Sequence, residues 1–221
     1  MSKIIPNAFS SANLLCGMIA MGLSLEGLYA EASIAILLGM VFDALDGNVA
    51  RLLNAGSEFG KQMDALCDLV SFGAAPAVLL YLQLYATGLN WLNLLPILAF
   101  PVCGALRLAR FNSSPATKGG FVGMPITAAG GILAICSLSW AQFGVIGILL
   151  FTALLGFLMV STIRYPDIKS VSFLKKKLGI ALSLLSIALY VYFLSEWLFL
   201  PLVGYALTGL FLGAWQLIKS R

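Results

Sequence analysis

Eight apolar stretches, each long enough to cross a bilayer, constrain the fold of this 221-residue chain more than any other feature. A hydrocarbon core of about 30 Å requires roughly 20 apolar residues per helix. Charged residues make up 10% of the chain, whereas they make up about a quarter of a soluble domain. The predicted spans are Ala8–Leu25, Ala30–Leu53, Met63–Leu84, Trp91–Phe111, Phe121–Trp140, Phe143–Ile163, Leu174–Leu194 and Trp197–Ile218.

The sequence therefore predicts an all-α polytopic membrane protein with a single domain over residues 1–221. Its core helices occupy residues 8–163, and two further C-terminal helices occupy residues 174–218. All thirteen Lys and Arg lie at the termini or beside the connections that follow even-numbered stretches. Because basic residues accumulate on the cytoplasmic side, both termini are predicted to be cytoplasmic. The protein is expected to be multi-pass in the cell membrane, with its active site facing the cytoplasm.

Four aspartates lie inside the second and third apolar stretches, where a charged side chain costs at least a few kcal/mol. Asp43 and Asp46 are three residues apart and Asp64 and Asp68 are four apart, so each pair shares one helix face. The turn-forming residues Asn54–Ser57 separate the two stretches. In an antiparallel hairpin that turns here, Asp46 meets Asp64 at one level and Asp43 meets Asp68 at the next.

Converging carboxylates repel each other unless a cation or a proton neutralises them. Pairing with basic side chains is the alternative explanation, but only Arg51 and Lys61 are near in sequence. Ligation by oxygen atoms suits Mg²⁺, Mn²⁺ or Ca²⁺. Two such ions on shared carboxylates form the clamp that is used for displacement at phosphorus. The sequence thus predicts a divalent-metal site on this hairpin.

The spacing of these residues resembles the signature of the CDP-alcohol phosphotransferase family. The pattern is Asp43-x-x-Asp46-Gly47-x-x-Ala50-Arg51, followed after eight residues by Gly60-x-x-x-Asp64-x-x-x-Asp68. The resemblance implies that an alcohol attacks a CDP-linked lipid, the phosphatidyl group is transferred and CMP leaves. It also implies that Asp43, Asp46 and Asp64 hold two Mg²⁺ or Mn²⁺ ions, and Ca²⁺ is a further ion that the site could bind.

The same resemblance assigns roles to other residues. Asp68 would contact metal and act as the general base for the attacking hydroxyl. Because the chain contains no histidine, a carboxylate is the natural substitute for the commonest general base. The residues expected to bind the CDP-lipid are Asn7, Ser10, Asn13, Gly47, Ala50, Arg51 and Gly60. A homodimer surrounded by membrane lipids is expected, with no nucleic-acid partner.

Three further segments resemble the phosphatidylserine synthase branch of the family: Pro6–Gly17, Ala105–Asn112 and Phe121–Pro125. By this resemblance the donor is CDP-diacylglycerol, the acceptor is L-serine, and the products are phosphatidylserine and CMP. The alternative is the same chemistry with glycerol phosphate or inositol phosphate as acceptor.

Four polar residues near the fourth predicted helix are expected to bind the acceptor or a phosphate: Arg107, Arg110, Asn112 and Lys118. Guanidinium groups favour bidentate binding of carboxylate or phosphate. The competing interpretation is that the two arginines only anchor the helix end at the membrane interface. Inositol phosphate and glycerol phosphate need cationic partners, just as the serine carboxylate does. The presence of the two arginines therefore does not indicate which of these acceptors the protein uses.

A cation transporter or channel is the second functional class that suits an acidic cluster inside a membrane. Such proteins are expected to show inverted repeats or broken helices in the opposite half of the chain. Here the acidic residues occupy one hairpin, and the fifth to eighth predicted helices contain no charge at midspan. The sequence therefore favours the enzyme.

Overall fold

Long helices joined by short connections bring distant acidic residues together. The computed structural model describes residues 4–53, 55–89, 94–113, 121–138 and 140–165. Helix α1 (Ile4–Leu25) and helix α2 (Tyr29–Leu52) are joined by a short turn and pack along each other. The two helices are therefore antiparallel, and α1 lies beside the part of α2 that carries Asp46.

A second turn joins α2 to a continuous helix over Glu58–Tyr85. This helix consists of α3 (Glu58–Asp68), a π-helical segment (Leu69–Ala74) and α4 (Ala75–Tyr85). Ser57 caps α3, because its hydroxyl oxygen accepts a hydrogen bond from the Gly60 amide at 3.0 Å. The predicted turn is thus present between α2 and α3.

The second half of the described chain packs around this helix. It contains α5 (Leu95–Ser113), β1 (Phe121–Val122), α6 (Ile126–Leu138), α7 (Trp140–Val160) and β2 (Arg164–Tyr165). Helix α5 packs against α7, and α6 packs against α2, α4 and the π-helical segment. The two-residue strands pair antiparallel, with Phe121 opposite Tyr165. The bundle core lies between these helices and includes fully buried Phe72 and Phe100.

The π-helical segment marks a close contact between α6 and the third spanning helix. Pro76 has no amide hydrogen, so it cannot donate to the carbonyl of Phe72 four residues earlier. Gly130 of α6 packs directly against the Phe72 main chain, and a Cβ atom at that position would collide with the Phe72 carbonyl oxygen. Glycine at position 130 therefore allows α6 to approach the helix that carries Asp64 and Asp68.

The described residues confirm the all-helical class, apart from the short strand pair. Within them, three helices are long and apolar enough to cross a membrane: Ile5–Leu25, Tyr29–Leu52 and Glu58–Tyr85. Helix α6 begins at Ile126 rather than at Phe121, because Phe121 and Val122 pair with β2. The predicted spans Leu174–Leu194 and Trp197–Ile218 lie outside the described residues, and the count of eight helices and the orientation stay predictions.

Gly130→Ala should lower the stability of the folded protein. The added methyl group meets the main chain of Phe72, and overpacking of this kind typically costs about 1–3 kcal/mol. Gly22→Ala is the matched control, because a Cβ atom there meets nothing within 4 Å and alanine favours a helix over glycine. Thermal unfolding in detergent should show a lower Tm for the first variant and an equal or higher Tm for the control. Equal Tm values for both would contradict the close contact.

Candidate metal centre and active site

The acidic cluster is built by the hairpin of α2 and α3. Helix α2 contributes Asp43 and Asp46, and helix α3 contributes Asp64 and Asp68 at its last residue. Asp46 and Asp68 are buried, and Asp43 and Asp64 are half-buried. The helical periodicity of the sequence therefore turns all four side chains toward the interior of the bundle.

Three of these carboxylates are close enough to share a cation. One oxygen each of Asp43, Asp64 and Asp68 lies within 4.8 Å of the other two. Oxygens bound to one Ca²⁺ ion are at most about 5 Å apart, and those bound to one Mg²⁺ ion at most about 4 Å. The Oδ1 atom of Asp64 is buried and has no hydrogen-bond partner among the described residues. The donor set thus fits a hard divalent cation.

Asp46 lies at the side of this triad. Its Oδ2 atom accepts a hydrogen bond of 2.7 Å from the hydroxyl of Ser10 on α1. The carboxylate also interacts with Asp64, as the predicted hairpin requires. Asp64, however, joins Asp43 and Asp68 as well, so the cluster is a triad flanked by Asp46 rather than two separate layers.

Helix α1 supplies a second contact to the cluster. The Asn13 side-chain amide donates a hydrogen bond of 3.2 Å to Oδ1 of Asp68. Ser10 and Asn13 are both buried, at 4% and 0% exposure. The family resemblance assigns both residues to the CDP-lipid, and their contacts with the carboxylates were not predicted from the sequence. Their spacing of three residues on one face of α1 was the available signal.

Two predicted acceptor residues on α5 have different surroundings. Arg107 is 7% exposed, its guanidinium carbon lies 5.2 Å from the centroid of the Phe111 ring, and its charge acts on Asp43 and Asp68. It therefore lies beside the acidic cluster. The Phe111 contact was not predicted from the sequence, although the spacing of four residues from Arg107 on one helix was visible.

Arg110 contacts main-chain carbonyl oxygens instead. One terminal nitrogen donates to Val160 at 2.7 Å, and the other lies 3.0–3.2 Å from the carbonyl oxygens of Val122, Met159 and Ser161. These contacts tie the end of α5 to β1 and to the end of α7. Asn112 is exposed, and Lys118 lies outside the described residues.

The remaining predicted residues lie along the half of the hairpin nearest its turn, which is the cytoplasmic half in the predicted orientation. Gly47 and Ala50 are half-buried on α2, and Arg51 is exposed and donates to Oδ1 of Asn48 at 3.0 Å. Gly60 lies on the first turn of α3, where a Cβ atom would be 3.3 Å from Oδ1 of Asn7. Asn7, Ser10 and Asn13 thus follow one another along the face of α1 that meets the hairpin.

Comparison with known proteins identifies the class. The family model described as CDP-alcohol phosphatidyltransferase matches residues 3–164. The chain belongs to the CDP-alcohol phosphatidyltransferase family, and the resemblance noted from the sequence is confirmed. Metal dependence is general for this family, in agreement with the acidic triad.

Curated relatives cover most of the chain. It is 33% identical over 221 aligned residues to the CDP-diacylglycerol–serine O-phosphatidyltransferase of Helicobacter pylori, covering 89% of this chain and 92% of the relative. It is 38% identical over 166 residues to the protein of the same name from Bacillus subtilis, covering 75% and 91%. It is also 34% identical over 168 residues to the archaetidylserine synthase of Methanothermobacter thermautotrophicus, covering 74% and 70%.

Asp43→Asn should remove most of the activity and weaken the response to metal at the same time. The substitution replaces one of three clustered carboxylates with a neutral amide, which is a poorer ligand for a hard cation. Glu58→Gln is the matched control, because Glu58 is an exposed acid at the start of α3 and pairs with Lys61. Turnover is measured against Mn²⁺ and Mg²⁺ concentration. An Asp43→Asn enzyme with ordinary turnover and metal response would rule out the cluster as the metal site.

Proposed function

We propose that this chain transfers the phosphatidyl group of CDP-diacylglycerol to the hydroxyl of L-serine, giving phosphatidylserine and CMP. The observation that carries the proposal is that the three relatives described above, which cover most of the chain, are all named as enzymes that make a serine phospholipid. The acidic cluster supplies the site that such a transfer requires. None of the relatives named above is a cation transporter.

The four aspartates would hold the cation or cations that the reaction requires. Asp43, Asp64 and Asp68 form the triad, and Asp46 flanks it. Two Mg²⁺ or Mn²⁺ ions, when bound, would neutralise the diphosphate of the donor and the charge that develops during displacement. The hydrogen bond from Ser10 keeps the Asp46 carboxylate at the side of the triad.

Asp68 would accept the proton of the attacking hydroxyl. In this step the serine oxygen forms a bond to the phosphatidyl phosphorus, the bond from that phosphorus to the CMP oxygen breaks, and the serine proton moves to a carboxylate. Asp68 is buried at the inner end of the cluster and next to Arg107. Its advantage as a base is its position rather than its basicity.

Arg107 is the better candidate for the serine carboxylate. It lies beside Asp43 and Asp68, and a carboxylate held there would place its own hydroxyl near the base. Arg110 is a less suitable partner, because its terminal nitrogens contact four main-chain carbonyl oxygens. Asn112 and Lys118 stay predicted contributors to acceptor binding.

The CDP-lipid would approach along the hairpin from the turn between α2 and α3. Gly47, Ala50, Arg51 and Gly60 are proposed to border its cytidine diphosphate, with Asn7 nearby. A Cβ atom at Gly47 would meet only the Arg51 side chain within 4 Å among the described residues, so there is room beside it. The diacylglycerol part would lie among the membrane lipids.

The position of basic residues supports a site that opens to the cytoplasm. Two of them, Arg51 and Lys61, lie beside the turn between α2 and α3, and the other two, Arg107 and Arg110, lie near the C-terminal end of α5. Basic residues favour the cytoplasmic side of a membrane. The multi-pass location in the cell membrane, the cytoplasmic termini and a homodimer are parts of the same proposal.

The proposal is tested by an acceptor screen with purified protein, CDP-diacylglycerol and Mn²⁺ or Mg²⁺. CMP release and the lipid product are measured with L-serine, glycerol 3-phosphate and inositol phosphate in parallel. Serine-dependent formation of phosphatidylserine is expected, with a stoichiometric yield of CMP. Product formation with glycerol phosphate or inositol phosphate, and not with serine, would contradict the choice of acceptor.

Arg107→Lys should raise the apparent KM for serine more than the KM for CDP-diacylglycerol. Lysine keeps the charge but cannot form the planar two-point contact with a carboxylate. Lys61→Gln is the control, because Lys61 is an exposed cation paired with Glu58 at the start of α3. The opposite pattern, with a larger effect on the lipid KM, would assign Arg107 to the donor.

Asp68→Asn should lower turnover by about 10²–10⁴-fold, which is the usual contribution of a general base. This corresponds to about 3–5 kcal/mol in the barrier. Binding of the CDP-lipid should be largely retained, so calorimetric affinity and turnover are measured separately. Loss of donor binding would identify Asp68 as chiefly a metal ligand, and unchanged turnover would exclude both roles.

A further inference from the structure

Asn13 is a buried amide at the point where three helices meet. It lies on α1, is 0% exposed and faces both α2 and the end of α3. Its side-chain nitrogen donates to Oδ1 of Asp68 at 3.2 Å. A buried polar side chain in a membrane helix is costly unless its polar atoms form hydrogen bonds.

The other end of the same amide has no such contact. Oδ1 of Asn13 is buried and has no hydrogen-bond partner among the described residues. It packs against Gly39 of α2, where a Cβ atom would lie 2.9 Å away. An unsatisfied acceptor lowers stability, so an apolar residue of the same size would suit this position better if packing were its only role.

The main chain of Asn13 is fixed as well. The hydroxyl of Ser71 donates to the Asn13 carbonyl oxygen at 2.8 Å, and Ser71 belongs to the π-helical segment that begins directly after Asp68. Gly17, one turn further along α1, packs against Ser71. Two hydrogen bonds therefore join Asn13 to the same short region, one to the Asp68 side chain and one from the Ser71 side chain.

We infer that Asn13 is a positioning residue that holds the Asp68 carboxylate by one oxygen and directs the other oxygen toward the reacting hydroxyl. This inference rests on the proposed role of Asp68 as general base. It assigns Asn13 to the positioning of that base rather than to binding of the CDP-lipid. Asn13 acts through Asp68 and does not touch the substrate. Outer contacts of this kind contribute about 10–100-fold to activity or metal affinity.

The test uses Asn13→Leu in the full chain. We expect kcat to fall about 10–100-fold, the KM for CDP-diacylglycerol to stay nearly unchanged, and the Tm to change little, because the lost hydrogen bond to Asp68 is offset by removal of the unsatisfied Asn13 oxygen. A residue with a purely structural role would give a lower Tm with the loss of activity. Asn13→Ala serves in the same way if the leucine variant does not fold. Ser24→Ala is the control, because the buried Ser24 hydroxyl donates to Ala20 at the other end of α1.

A double-variant cycle tests the route through Asp68. If Asn13 acts through Asp68, adding Asn13→Leu to Asp68→Asn should cost little further activity, because the two changes remove one function. Losses that multiply, an unchanged kcat in Asn13→Leu, or a raised lipid KM with kcat retained would each overturn the inference. The cycle is run with whichever acceptor the wild-type chain uses, so a failure of serine as acceptor is seen separately in the wild type.

Discussion

Mutual repulsion among carboxylates on two membrane helices is the constraint on which this structure depends. Asp43, Asp64 and Asp68 bring oxygens within 4.8 Å of one another in a largely apolar bundle, where each uncompensated charge is costly. The surroundings offset this cost in two ways. Ser10 and Asn13 on α1 donate hydrogen bonds to the flanking and inner carboxylates, and Arg107 on α5 supplies positive charge. The remaining repulsion favours a divalent cation, which is what the family requires.

The packing around the cluster keeps these groups in position. Gly130 lets α6 approach the main chain of Phe72, and the π-helical segment before Pro76 accommodates the missing amide hydrogen. Arg110 joins the end of α5 to α7 and β1, beside Gly123, whose φ of 81° suits glycine. Arg107 lies one helical turn before Arg110 on α5, so the contacts of Arg110 also fix the part of α5 that carries Arg107. The two arginines thus differ in role: Arg110 holds α5 to its neighbours, and Arg107 lies beside the acidic cluster.

The helical hairpin and its four carboxylates could be predicted from the sequence, because membrane-length apolar stretches and i, i+3 or i, i+4 spacings determine them locally. The contacts between α1 and the cluster could not, because they depend on how α1 rotates against partners that are 36 and 55 residues away along the chain. The same holds for Arg110, whose carbonyl partners lie in β1 and at the end of α7. The late start of α6 follows from the pairing of β1 with β2, which periodicity does not reveal.

The central claim is that the carboxylates of α2 and α3 jointly hold the divalent cation used for phosphatidyl transfer. Anomalous diffraction from crystals of the full chain grown with Mn²⁺ and CDP-diacylglycerol tests it most directly. We expect anomalous density between Asp43, Asp64 and Asp68, next to the diphosphate of the lipid. Density at another position, or a diphosphate bound away from these three side chains with no Mn²⁺ between them, would contradict it.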